Sequence, residues 1–217
     1  MKFKAIVVTL LALTLVDSRA SPKCPLPFLS PTLEYGQLGA RKLLEANFSH
    51  EDEDMVFEYI ESGSSATNKK YGTTYRVQIF NSELDPSVHR VALEWILNAS
   101  NDGKSGNLQS LDRRLPDELY RRIVAAVKPI ILRTHYAQEQ TSIGCLDGFV
   151  AQVSLNVGNS DYWGPLGGEA YTPPVKSEAG AVVELGRGLR QFADKSNDED
   201  AVKILLYSVE KYSRSAN

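Results

Sequence analysis

Acid–base, nucleophilic and metal chemistry need His, Cys or converging carboxylates, and this chain holds 3 His and 2 Cys. His50, His89 and His135 include no pair at the i, i+4 spacing that sets two imidazoles on one helix face, and no Cys stands near them to complete a structural zinc set. Zinc is therefore not expected, and no other metal is read. Cys145, in Gly144-Cys145-Leu146, has no His after it, because the last one is His135. The Cys-before-His order of papain-like and cell-wall peptidases thus fails. The sequence contains no Gly-x-Ser-x-Gly elbow, Walker loop or strand-to-helix glycine fingerprint, so it implies no cofactor. Gly186-Arg187-Gly188 sits inside a helical pattern, where two small residues point to a closely packed neighbour. The run His50-Glu-Asp-Glu-Asp54 lacks the glycine-bearing spacing of a calcium loop and reads as a solvated turn.

Paired carboxylates are different, because those of a glycoside hydrolase meet only in the folded chain. Asp147, Asp161 and Glu169 are the candidates, since they border the most distinctive stretch of the sequence. Residues 158–177 read as a long loop carrying Tyr162, Trp163 and Tyr171 among Gly164, Pro165, Gly167, Gly168, Pro173 and Pro174. Amphipathic rings on a locally stiff backbone suit the face of a sugar or a protein partner. The competing reading folds Trp163 and Tyr171 back over a sheet as part of the core.

Three functions follow as expectations. The first is a non-catalytic binding protein for a protein or carbohydrate partner, acting through Tyr162, Trp163 and Tyr171. The second is an extracytoplasmic hydrolase using paired carboxylates. The third is a structural or assembly role in the cell envelope.

All three assume export, which residues 1–20 support as a signal peptide. Lys2 and Lys4 precede an apolar run from Ala5 to Val16, and Ser18-Arg19-Ala20 places small residues at −3 and −1 of a cleavage site. As a helix those 12 residues rise about 18 Å, short of the roughly 30 Å hydrocarbon core. Cleavage after Ala20 removes Lys2, Lys4, Arg19 and Asp17, leaving 197 of 217 residues and moving the net charge from −3 to −5. An acidic chain lacks the clustered Lys and Arg that phosphate contacts require, so nucleic acid is not an expected partner. No later stretch approaches spanning length, so no membrane insertion is expected of the secreted or periplasmic product. In an oxidising compartment Cys24 and Cys145 can pair, closing a loop of roughly 120 residues worth on the order of 4–5 kcal/mol. Two unpaired thiols are the alternative.

The elements that would position these residues read as one α+β domain over 34–217 behind a proline-rich arm, 21–33, that holds Pro22, Pro25, Pro27 and Pro31. A short helix is predicted over about 34–46. Strands are predicted at Met55–Glu61 and Thr73–Phe80; in the second, Tyr75, Val77 and Ile79 alternate with Arg76 and Gln78 as in a half-buried strand. Val88–Asn98 fits period two through Val91, Leu93, Trp95 and Leu97, and also fits a helix behind Asp85-Pro86; strand is preferred because it continues a meander. A short strand follows near Leu108–Leu111. Pro116 opens a helix that should end before Pro129, with a further strand over Ile130–Tyr136. Phe149–Val157 alternates cleanly, and two amphipathic helices close the chain, one around Val182, Leu185, Leu189 and Phe192, the other around Val202, Leu205, Leu206 and Val209. The expected architecture is an antiparallel sheet of about five or six strands packed against a central helix and two C-terminal helices.

Overall fold

The computed structural model of the protein describes residues 30–31, 54–63, 74–82, 85, 87–97, 107–133, 149–156, 166–195 and 199–214. These form strands β1 (Ser30–Pro31), β2 (Asp54–Gly63), β3 (Thr74–Asn81), β4 (His89–Leu97) and β5 (Asn107–Leu115), then helix α1 (Asp117–Leu132). Strands β6 (Phe149–Leu155) and β7 (Leu166–Tyr171) and helices α2 (Glu178–Asp194) and α3 (Glu199–Arg214) complete the order. Six of the strands are six residues or longer, and β1 is a two-residue addition at the edge. The sheet runs β1-β7-β6-β2-β3-β4-β5, with every neighbouring pair antiparallel. This is an α+β fold in which α1 carries the chain from one side of a four-stranded meander to the other.

Alternation assigns the two faces. Phe57, Tyr59, Tyr75, Val77, Ile79, Val91, Leu93, Ala151, Val153 and Leu155 are buried toward the helices. Each large aliphatic or aromatic side chain removed from water in this way contributes about 1.5–3 kcal/mol. Above them lie Leu119, Ile123, Val127 and Ile130 of α1 and Val182, Leu185, Leu189 and Phe192 of α2. Helix α3 forms the outer layer, burying Val202, Leu206 and Val209 while Leu205 lies against Gly188. Within Val88–Asn98, His89–Leu97 is strand β4, paired residue for residue with β3 from Tyr75↔Trp95 to Asn81↔His89.

Local chemistry explains the ends of these elements. Ser177 caps α2, its hydroxyl accepting from Gly180 N at 3.0 Å. At the other end of α2, Arg113 of β5 donates to the carbonyls of Phe192 (2.8 Å) and Lys195 (2.7 Å), supplying a cation where the helix dipole is negative. Strand β7 ends where Thr172 adopts φ 39°, an unusual value for a β-branched residue. The turn is held by Phe149 N, which donates to Thr172 Oγ1 at 3.0 Å, and by Thr172 N, which donates to Phe149 O at 3.0 Å.

Four expectations change. Residues 158–177 are not one loop: Leu166–Tyr171 is strand β7, where Gly167 and Gly168 hide the strand signal that side chains would give. The strand near Leu108–Leu111 extends over nine residues as β5, an edge whose charged side chains mask its periodicity. Helix α1 runs through Pro129 to Leu132, so Ile130–Leu132 is helix and not strand. Proline removes one backbone bond near the end of that helix, while Ile130 and Ile131 are buried in the core beside it, and tertiary packing prevails. Finally, β3 is buried on both faces, Arg76 and Gln78 included. The helix expected at 34–46 and residues Cys24, Cys145, Asp147, Asp161, Tyr162 and Trp163 lie outside the described residues. None of the described helices is long and apolar enough to cross a membrane.

Candidate functional site

Strands β6 and β7 bring the aromatic segment into relation with the sheet. They pair from Val150↔Tyr171 to Leu155↔Leu166, so Tyr162 and Trp163 fall within the connection of a hairpin. Tyr171 is the last residue of β7, at the opposite end of that strand from the connection. The three predicted contact residues therefore do not belong to one loop. The hairpin is firmly seated, because Ala151, Val153, Leu155 and Ala170 are buried.

The sheet face away from the helices carries a second group, one not expected from the sequence. Here the buried side chains include Glu58 (6% exposed), Arg76 (3%), Gln78, Glu94 (2%), Gln152 and Glu169. Cross-strand register sets Glu169 opposite Gln152 and Arg76 opposite Glu94, with Glu58 between Ser154 and Gln78 one row away. Arg76 is shared by two carboxylates, with Nη2 to Glu94 Oε2 at 2.5 Å and Nη1 to Glu58 Oε2 at 3.5 Å. Gln78 donates to Glu58 at 3.2 Å, and Ser154 does so at 3.3 Å. Arg90 and Asp112 pair on the same face, toward β5. A lone charged residue inside an apolar run, as in Val56-Phe57-Glu58-Tyr59-Ile60 or Val91-Ala92-Leu93-Glu94-Trp95, was the available signal for this group.

Toward the helices, Glu61 is the centre of a third group. Its carboxylate accepts from Tyr59 Oη (2.6 Å), Tyr75 Oη (2.6 Å) and Arg187 Nε (2.8 Å). Arg187 also reaches Glu184 at 2.9 Å and lies 4.3 Å from the Phe149 ring centroid. Burial alone would push the Glu61 pKa up, but the bonds from Arg187, Tyr59 and Tyr75 outweigh it and hold the carboxyl below its ordinary value. Burial first, and then the adjacent Tyr75 and Glu61 charges, raise the Tyr59 hydroxyl well above its ordinary range. Burial and Glu61 raise Tyr75 as well. Glu61 is thus favoured as the anion, with the two phenols as its donors. The arrangement bolts α2 to the sheet through the Arg187–Glu61 pair.

His89, buried at the start of β4, is a fourth candidate. Its Nδ1 lies 2.9 Å from Asn81 Oδ1 and its Nε2 3.0 Å from Asp117 Oδ1, and the ring stacks on Tyr120 at 3.6 Å. Both nitrogens are engaged, which leaves the imidazole no site for a substrate. Instead it fastens the first turn of α1 to the sheet, and the bond from His89, more than the neighbouring Arg121, holds Asp117 low. Glu169, read from the sequence as a loop carboxylate, lies inside β7 and is buried. Among the described residues, no group of three or more His, Cys, Asp or Glu is placed to hold a metal ion.

The fold and these groups define an α+β protein with an antiparallel sheet, helices on one face and charged side chains buried on the other. Compared with known proteins, the chain matches no family model, no curated protein and no solved structure.

Proposed function

We propose that this is an exported, non-catalytic binding protein that recognises a protein or a glycan in the envelope or the medium, with Tyr162 and Trp163 as its principal contacts. The observation that carries the reading is the anchoring of β6 and β7 in the sheet, since Tyr162 and Trp163 lie between these strands in sequence. Aromatic side chains on a rigid base lose little conformational freedom on binding and supply most of the affinity at many interfaces. The chemistry of the buried carboxylates supports the same reading. Glu61 accepts from Arg187 and two tyrosines, and Glu58 and Glu94 share one guanidinium. Export rests on the basic, apolar and small-residue pattern of residues 1–20.

A test is partner capture by Trp163→Ala beside the parent protein, with thermal melting measured on both. Loss of capture with an unchanged melting temperature supports the reading, and unchanged capture refutes it. A hydrolase is the second reading, favoured by one observation: Glu169, Glu58 and Glu94 all point to the same face of the sheet. Hydrolysis of an oligosaccharide that disappears in Glu169→Gln, with folding intact, would establish that reading instead.

A further inference from the structure

Among the described residues, helix α3 packs on one side only. Val202, Leu206 and Val209 face α1 and α2, while Ile204 and Tyr207 stand 70% and 68% exposed on the outer side. Among the described residues only five large apolar side chains are exposed, and these two are neighbours on one helix. They belong to a straight stripe. Asp200, Ile204, Tyr207, Lys211 and Arg214 follow one another at steps of four, three, four and three, the spacing of a helix-pairing seam. Read along the helix, the seam is acidic, apolar, apolar, basic, basic.

That order selects its own complement. A second α3 running antiparallel, with Ile204 set against the other copy's Tyr207, brings Asp200 opposite Lys211, and the two-fold axis repeats both contacts. A parallel pairing would stack Lys211 on Lys211 and Asp200 on Asp200, which charge repulsion disfavours. We propose that the outer face of α3 is a self-association surface and that two copies of this chain pair through antiparallel α3 helices. Existing bonds do not compete strongly. Asp200 reaches Lys203 at 3.2 Å on the surface, and its side chain is 92% exposed, so it remains available to a partner. The contact is one helix wide, and a contact this narrow makes a weak, reversible dimer. This inference is independent of the binding reading, which concerns the β6–β7 hairpin.

Sedimentation equilibrium of the purified protein tests it, with circular dichroism to confirm folding of each variant. The parent mass should rise from monomer toward dimer between about 1 and 100 µM. Asp200→Lys and Lys211→Asp should each remain monomeric across that range, because each sets like charges opposite one another. An equimolar mixture of the two variants should regain dimerisation, because a mixed pair restores opposite charges at both contacts. A parent protein that stays monomeric throughout, a dimer that ignores both substitutions, or a mixture that stays monomeric would overturn the proposal. Tyr207→Ala supplies a charge-neutral check and should weaken association at least about tenfold.

Discussion

Gly186 of α2 lies directly on the ring of Tyr59 in β2: a Cβ at position 186 would fall 2.4 Å from Tyr59 Cγ. The ring cannot retreat, because its hydroxyl is held by Glu61 at 2.6 Å and the residue is completely buried. Gly186→Ala is therefore expected to destabilise the protein by about 2 kcal/mol, since the strain of overpacking exceeds the helix-propensity gain of about 1 kcal/mol. At this chain length that corresponds to a fall in melting temperature of about 4–8 °C. Gly188→Ala is the control. There the new Cβ meets only the Leu205 Cδ1 tip, which can rotate away, and the change is expected to stay within about 1 kcal/mol of neutral.

The Glu61 group makes stability depend on acid. Glu61 is held below its ordinary 4.5 in the folded protein, so its contribution is complete above that value and is lost as pH falls through the folded one. Glu61→Gln should cost about 2 kcal/mol at neutral pH, through the weakened bonds to Arg187 and the two tyrosines. Urea midpoints of parent and variant should converge as pH drops below 4.5. A gap that stays constant with pH would show that Glu61 contributes by shape alone.

Arg76 is expected to be the most sensitive charged position on the far face. Replacing it with Met leaves Glu58 and Glu94 without their shared cation in a buried setting, a loss of about 3–5 kcal/mol. Adding Glu94→Gln to Arg76→Met should recover at least about 1 kcal/mol by removing one of the two buried carboxylate charges. Denaturant titration of both variants checks the pair.

Pro129 interrupts the backbone ladder of α1, so Pro129→Ala should restore a bond to the Ala125 carbonyl. The gain is tempered by the freer unfolded chain and should be about 1 kcal/mol, read as a higher urea midpoint.

Much of this fold was legible in the sequence wherever one face of an element is apolar. Phe149–Leu155 and Thr74–Asn81 alternate, the C-terminal helices carry apolar stripes, and Gly186 and Gly188 announce their close neighbours. Strand β7 is hidden because Leu-Gly-Gly-Glu-Ala-Tyr has no β-branched residue, and only the Leu108–Leu111 part of β5 is legible because an exposed edge needs no apolar face. The continuation of α1 through Pro129 depends on burial of Ile130 and Ile131, which local propensity does not contain. The charged far face is not legible for a related reason. Alternation of Arg76 and Gln78 with Val77 says that they face away from the helices, and says nothing of whether that side meets water.

The binding reading stands or falls on Trp163. The measurement that addresses it most directly is a binding screen of the purified protein against extracellular proteins and oligosaccharides, run in parallel with Trp163→Ala and with melting temperatures recorded for both. The account predicts a partner that the parent retains and the variant loses at least about tenfold, with melting temperatures within a few degrees. Equal retention by both proteins, or a variant that loses its partner only because it no longer folds, would contradict it.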